Sequence, residues 1–332
     1  MKDDFIQGVN LGGWLLLEKW MTPSLFAGTD AVDEYTFMQT PGALEKVETH
    51  RRNFITEEDF AWLADNKINA VRIPVGFWTL EEELPFHSAV SYLDWAFDMA
   101  EKYGLKVLLD LHGLPGSQNG RDHSGRVGRS DWYRFAVNRE NSVQSVVNLA
   151  RRYKDHASLW GIQIINEPRF GIFNLRLRRY YKRAYRALTS ILPANVSVVI
   201  SDGFTPRLMS GSLRPTTHPV ILDVHLYHMA TPLANLMPIK WFLDKTKRRQ
   251  KMLARLSRQQ PIIIGEWSGV ISHKTMRKIP KNQHKKLFVD YVKLQQQAFR
   301  KTAGWFYWSY KTEKPGQWSF RSQVEAGNIN LQ

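Results

Sequence analysis

Two glutamates close apolar, strand-like runs: Glu167 within Asn166-Glu-Pro168 and Glu266 within Gly265-Glu-Trp-Ser268. Other polar groups fall at the ends of similar runs: Arg72 in Ala70–Pro74, His112 after Val107–Leu111, His225 and Tyr227 at the close of Val220–Tyr227, and Trp308 at the close of Gly304–Trp308. A charged group in or at the end of a buried apolar strand is costly unless it is paired or faces a pocket. Paired carboxylates suit acetal hydrolysis. One stays protonated and donates to the leaving oxygen, while the other, ionised, attacks or stabilises an oxocarbenium-like centre. Such a site must split the two pKa values. A neighbouring His or Asn can hold the ionised partner, and apolar, partly desolvated surroundings keep the acid neutral. A carboxyl separation of about 5–5.5 Å would mean retention through a glycosyl-enzyme intermediate. Sugars also present flat C–H faces on which Trp or Tyr can stack. Trp308, Tyr227, Trp267, Trp14 and Trp78 lie at or near strand ends and are candidate platforms, whereas Trp62, Trp95 and Trp160 are assigned to packing.

Eight short runs must position these groups: Phe5–Val9, Ala70–Pro74, Val107–Leu111, Gly161–Ile165, Val196–Ser201, Val220–Tyr227, Ile262–Glu266 and Gly304–Trp308. Most are continuous rather than alternating, as parallel strands covered on the outside require. Helical periods fill the intervals at Thr56–Asn66, Ser91–Tyr103, Asn141–Lys154, Leu175–Leu192, Lys245–Arg258 and Asn282–Lys301, the first opening on a capping box of Thr56 and Asp59. This alternation predicts an α/β fold, a single (β/α)8 TIM barrel spanning residues 1–332 as one catalytic domain. An open doubly wound sheet is the competitor, but no strand is followed by G-x-G-x-x-G or a Walker loop. The excess over about 250 residues lies in extended loops after strands 1 and 3, residues 10–53 and 112–135, on the face where barrels build their chemistry.

Composition narrows the function classes. The 332 residues are 43% hydrophobic and 23% charged, a balance that excludes a disordered or fibrous chain. There is no Cys, which rules out disulfides, Cys-zinc sites, iron–sulfur clusters and thiol catalysis. No apolar run approaches the ~20 residues of a membrane span. Met1-Lys-Asp-Asp-Phe5 carries no apolar h-region, so the expected location is cytoplasmic, with secretion requiring a leader already trimmed. The charge balance, 46 Lys+Arg against 31 Asp+Glu, gives +15. Basic runs at Arg176–Arg179, Lys182-Arg183, Lys245–Lys251, Lys274–Lys278 and Lys285-Lys286 would form outer stripes on barrel helices. Those stripes suit solubility or weak association with an anionic surface, and no nucleic-acid motif accompanies them. A metal-dependent hydrolase would need His112, His123, His225 and His228 to converge. His225 and His228, three apart, fall on opposite faces of the pleat, and neither H-x-H nor H-E-x-x-H occurs.

The blocks Gly8–Trp20 with Thr22–Phe26, Arg72–Val75, Asp110–Gly113, Pro115–Gly120, Asn166–Pro168, His225–Tyr227, Gly265–Ser268 and Gly304–Trp308 resemble, in order and over essentially the whole chain, glycoside hydrolase family 5 enzymes of the exo-β-1,3-glucanase type. The resemblance implies a retaining β-glycosidase barrel that needs no cofactor and no metal, most simply a monomeric β-glucosidase or exo-β-glucanase acting on a β-linked oligosaccharide, polysaccharide or glycoside. By the same resemblance Glu167 matches the acid/base and Glu266 the nucleophile, with Arg72 holding the nucleophile ionised. His112, Asn166, His225 and Tyr227 would position the sugar or the glutamates, Asn119 and Asp122 would sit in the substrate-binding loop, Trp308 would lie under the sugar at the cleavage point, and Glu18 would close the pocket around the non-reducing sugar. The pattern departs after Gly120. Fungal exo-glucanases carry Phe-Asp-Asn-Ser-Gly there, the Phe belonging to an aromatic clamp for the second sugar, and this chain has Arg121-Asp-His-Ser-Gly125. Arg121 brings charge and a five-donor fork in place of an aromatic face, which points to other aglycones, such as those of glycolipids or diglycosides.

Overall fold

The computed structural model describes residues 5–169, 174–228, 234 and 236–331, so the remainder of the Met1–Phe5 segment lies outside the described residues. Eight parallel strands close on themselves in sequence order: β1 (Ile6–Asn10), β2 (Ala70–Gly76), β3 (Lys106–Gly113), β4 (Leu159–Gln163), β5 (Ser197–Ser201), β6 (Val220–Leu226), β7 (Ile262–Trp267) and β8 (Gly304–Tyr307). Pairing of β1 with β8 at Ile6 and Gly304 completes the barrel. The fold is therefore the predicted (β/α)8 barrel, and every predicted strand is present within a few residues of its expected bounds.

Side chains alternate in and out along each strand, so every second residue faces the barrel axis. At the bottom, Ile6, Ala70, Leu108, Val199, Ile221, Ile263 and Phe306 form one buried apolar plug, drawn from every strand but β4, where Gly161 stands. Gly8 makes room for this plug, since a Cβ there would lie 2.3 Å from the Phe306 ring. Two residues further up the strands the interior becomes polar: Asn10, Arg72, Asp110, Gln163 and Asp223 are all buried. The outward residues of the strands join the helices in the main core, as with Val71, Ile162, Val198 and Ile264.

The helices are α1 (Glu34–Phe37), α2 (Ala43–Phe54), α3 (Glu57–Asp65), α4 (Val90–Lys102), α5 (Asp131–Arg134), α6 (Ala136–Tyr153), α7 (Leu175–Thr189), α8 (Pro206–Met209), α9 (Ile239–Leu256), α10 (His273–Met276), α11 (His284–Phe299) and α12 (Phe320–Glu325). The six predicted helices correspond to α3, α4, α6, α7, α9 and α11, and the Thr56–Asp59 capping box is present. The extended loop after β1 is not irregular throughout, because it contains α1 and the twelve-residue α2. Buried Glu34 ties this loop down by accepting from the Leu17 N–H at 2.8 Å and the Trp78 indole at 3.2 Å. The Lys245–Lys251 run is not wholly an outer stripe: Arg249 turns inward to the Tyr227 carbonyl, whereas Lys247 and Arg248 are exposed. Among the described residues no helix is long and apolar enough to cross a membrane.

Candidate active site

Arg72 is the centre of the polar layer. Fully buried on β2, its guanidinium donates to Asn10 Oδ1 at 2.7 Å, Gln163 Oε1 at 3.0 Å, Asn166 Oδ1 at 2.9 Å and Glu266 Oε1 at 3.1 Å, and it pairs with Asp110 at 2.9 Å. Five partners from four strands or their ends, β1, β3, β4 and β7, fix its position. A planar fork of donors suits such a role where a single ammonium would not.

Glu266 reaches this layer because of a bulge. Asp223 pairs with Ile263 but His225 pairs with Glu266, so β7 carries one residue more than β6 over the same length. The extra residue frees the Gly265 peptide from the ladder. Its N–H donates to Asp223 Oδ1 at 2.7 Å and its carbonyl accepts from Asn10 Nδ2 at 2.9 Å. Only glycine fits, since a Cβ at 265 would lie 2.2 Å from the Asp223 carboxylate. The bulge turns Glu266 inward, where bulges commonly re-aim a side chain. The second carboxylate oxygen of Glu266 accepts from the Tyr227 hydroxyl at 2.8 Å.

Glu167 arrives differently. It follows β4 with φ of 39°, in the left-handed region that non-glycine residues seldom adopt. That turn lets neighbouring Asn166 and Glu167 both point into the mouth. Glu167 Oε1 lies 2.8 Å from His225 Nδ1, and its other oxygen lies 3.4 Å from His123 Nε2. His225 Nε2 in turn meets Asp223 Oδ2 at 2.9 Å, and Nδ1 stands 3.4 Å from Glu266. One oxygen of Glu167, one nitrogen of His225 and one oxygen of Glu266 all lie within 4.8 Å of one another. Both carboxylates therefore stand close enough to share the one His225 imidazole, the convergent placement that a pair of acid/base and nucleophilic carboxyls requires.

The charges around the pair set its proton inventory. Burial pushes the His225 imidazole down, but the charges of Glu266 and Asp223 and the bonds to Asp223 and Glu167 outweigh it, holding His225 protonated well above the ordinary histidine range. Burial likewise pushes the Glu167 carboxyl up, and the bond to His225 with the nearby histidine charges brings it down to about 2. Glu266 is pushed up by burial, against the pull of His225, Arg72 and the Tyr227 hydroxyl. In the empty site the mobile proton therefore rests on His225, between the two carboxylates, and the three groups titrate together. If that proton crosses the 2.8 Å to Glu167, Glu167 loses its cationic partner while Glu266 keeps Arg72 and Tyr227. The two carboxyls then separate into a neutral acid and an ionised base, the split that acetal hydrolysis needs.

The remaining predicted residues fall around this centre. Asp110 accepts from His112 Nδ1 at 2.6 Å, which leaves Nε2 free to accept from the Asn166 amide at 3.0 Å. Burial and the Arg72 charge keep His112 neutral. Trp308 stacks near the His112 ring, centroids 5.7 Å apart. Glu18 is buried and accepts from the Trp20 indole at 2.8 Å. Burial raises its pKa well above the ordinary range, with Asp122, Glu266 and Glu167 adding negative potential, so Glu18 and Asp122 face the same mouth. Asn119 also supports the loop backbone. Its amide donates to the Glu167 carbonyl and its oxygen accepts from the Arg121 N–H, so both ends hold backbone.

Of the candidate platforms, Trp14, Trp78 and Trp267 are fully buried and are packing residues. The Trp14 indole donates to the Arg51 carbonyl, Trp78 stacks on Phe86, and Trp267 sits among Phe299, Trp305 and Tyr307. The aromatic wall instead comprises Trp308, Tyr227 and two indoles missed in the sequence, Trp20 (42% exposed) and Trp318, whose rings lie 5.2 Å apart. Trp318 also contacts Tyr227. Neither indole lies in a strand, so strand-end reasoning passes over both. Asp110 and Asp223 were legible, each two residues before a site histidine and hence on the same strand face. The four histidines do not converge on a metal site: His228 is buried against Tyr291, apart from His225.

Comparison with known proteins agrees with this arrangement. The family model for cellulase, glycosyl hydrolase family 5, matches residues 32–314. The chain belongs to this family. It is similar to a glucan 1,3-beta-glucosidase of Blumeria graminis, 33% identical over 379 residues that cover 98% of this chain and 86% of the relative. A probable glucan 1,3-beta-glucosidase A of Emericella nidulans is 33% identical over 366 residues, covering 97% of this chain and 89% of that one. Among solved structures, rutinosidase from Aspergillus niger shares the fold with a TM-score of 0.80 at 20% identity, over 98% of both chains. An endoglucanase from Thermotoga maritima follows with a TM-score of 0.62 at 17% identity, over 96% of this chain and 93% of that one. This family 5 chain is a retaining glycoside hydrolase that acts on a β-linked glycan or glycoside.

Proposed function

We propose that Glu266 is the nucleophile and Glu167 the acid/base of a double displacement at a β-glucosidic bond, in an enzyme that removes sugar from the non-reducing end of its substrate. Glu167, having taken the His225 proton, gives it to the glycosidic oxygen as that bond breaks. Glu266 attacks the anomeric carbon from the opposite side and forms the glycosyl ester. Glu167, again a carboxylate, then takes a proton from water, whose oxygen displaces Glu266 and restores the β configuration. The observation that carries this assignment is the asymmetry of donors. Glu266 has a permanent cation and a hydroxyl on its two oxygens, while Glu167 has the His225 imidazole, a partner that can give up its proton. Action from a chain end is supported by buried Glu18, held by the neighbouring Trp20 indole, and by the glucan 1,3-beta-glucosidase names of the relatives.

The test uses 2,4-dinitrophenyl β-glucoside, whose leaving group needs no acid. Glu167→Gln should still form the glycosyl-enzyme and be accelerated by azide, which needs no general base. Glu266→Gln should lose turnover by about 10³-fold or more, since no covalent intermediate can form. NMR of the first product should show the β anomer. Substantial turnover by Glu266→Gln, or an α first product, would overturn the assignment.

A further inference from the structure

Beside Glu167, with neither Glu18 nor Trp308 in its lining, lies an open cleft of about 660 Å³. Its walls come from the loops after β3 and β4 and from Phe204 after β5. Arg72, Tyr227, Glu266 and Trp308 do not line it, so it is distinct from the pocket that would hold the sugar being cleaved. Glu167 is shared between the two spaces, and an acid that protonates the leaving oxygen must stand between the sugar and its leaving group. The cleft is therefore where the leaving group goes.

Its chemistry is unusual for a sugar subsite. Arg121, Arg129, Arg134 and Arg169 all line it, against the carboxylates of Asp131 and Glu167. All four arginines are exposed, and among the described residues none of them forms an ion pair. Phe204 adds an aromatic face, 46% exposed, on a backbone with φ of 61°. An exposed phenylalanine in the left-handed region is strained, and such strain concentrates at ligand clamps. Clefts with an excess of one sign of charge, here four guanidiniums against two carboxylates, concentrate counter-charged ligands.

We infer that the leaving-group subsite selects β-glycosides whose aglycone carries a negative charge, with Phe204 against its apolar body and the arginine cluster around its anion. This inference rests on the proposed role of Glu167 and goes beyond it by naming the class of leaving group.

The test compares two β-glucosides of equal leaving ability, those of 3-(4-hydroxyphenyl)propanoate and of its neutral amide. The carboxylate should have the higher kcat/KM, by roughly tenfold at low salt, because several exposed guanidiniums each contribute a few-fold at most. That preference should shrink several-fold in about 0.5 M NaCl, where the Debye length falls to a few ångströms. The double variant R129S/R134S should reduce the carboxylate-to-amide ratio several-fold, and salt should then alter the ratio less. Equal kcat/KM for the two glucosides in the wild-type enzyme, while both are hydrolysed, overturns the inference and leaves the proposed function standing. Failure to hydrolyse either of them, or 2,4-dinitrophenyl β-glucoside, overturns the proposed function and the inference together.

Discussion

Replacing Tyr227 by Phe removes one hydrogen bond from Glu266, the proposed nucleophile, and little else. The ring contact with Trp318 remains, and the Tyr227 carbonyl still faces Arg249. The lost interaction is the O–H donated to Glu266 Oε2 at 2.8 Å. Burial and the charges of Glu266 and Glu167 hold the Tyr227 phenol well above its ordinary pKa, so it is a donor throughout the working pH range. A hydrogen bond to a charged group contributes about 1.5–3 kcal/mol. Most of that favours the carboxylate over the carboxylic acid, and at 1.36 kcal/mol per unit it corresponds to a rise of roughly 1–2 units in the Glu266 pKa. The sign follows directly: a higher pKa leaves Glu266 protonated, and so unable to attack, over more of the acid range. The acid limb of the kcat/KM–pH profile, which reports the free enzyme, should move up by roughly 1–2 units. On that limb kcat/KM falls roughly 10–100-fold at a given pH, and the basic limb stays nearly in place. Because the ring stays packed and only this bond is lost, the melting temperature should fall by no more than several degrees. The assay is a pH series on an activated aryl β-glucoside, with a thermal melt of each protein. A uniform loss at all pH values, with the acid limb unmoved, would refute the reasoning: the hydroxyl would then serve the sugar rather than Glu266.

Three further outcomes are expected. Gly265→Ala puts a Cβ 2.2 Å from Asp223 and should destabilise by about 3 kcal/mol or more through overpacking and loss of the buried bond; a melting temperature within ~2 °C of wild type would contradict this. Asp202 is buried and its carboxyl is raised to about 7 from 3.8, chiefly by burial, so the folded state holds a proton that the unfolded state releases. Its contribution to stability therefore falls as pH rises from about 4 to 7, by at most roughly 4 kcal/mol; denaturant titrations of Asp202→Asn should show a smaller loss over that window, and parallel wild-type and variant curves would refute it. Charge reversal of Lys247 and Arg248, both exposed on α9, should weaken binding to anionic vesicles at low salt while aryl β-glucoside hydrolysis continues; unchanged vesicle binding would remove this face from consideration as a docking surface.

Much of the site was legible because strand ends mark it. Polar residues closing apolar runs are expensive to bury, and Arg72, His112, Asn166, Glu167, His225, Tyr227, Glu266 and Trp308 all meet at the barrel mouth. Tryptophans were harder to sort, because a buried indole with a backbone partner, such as Trp14, has the same local sequence signature as a platform. The contribution of Trp20 and Trp318 came from loops that meet only once the barrel has closed. Asn119 lies where a substrate ligand was expected, yet its amide is committed to the backbone of Glu167 and Arg121, a fact of loop geometry rather than residue type.

Taken alone, the sequence determined the strand count and which polar residues, Glu167 and Glu266 among them, close the apolar runs, because continuous runs and their polar ends are local features. It did not determine which way Glu266 points. Strict alternation along β7 from inward-facing Ile263 would turn Gly265 and Trp267 inward and Glu266 out toward the helices. The tertiary structure reverses this through one extra residue in β7, stabilised by Asp223 on β6 and Asn10 on β1, each satisfying one polar group of the Gly265 peptide. Those partners lie 42 and 255 residues away along the chain. A buried peptide lifted from its ladder must find such partners or lose the free energy of its hydrogen bonds, and only the closed barrel brings them to it.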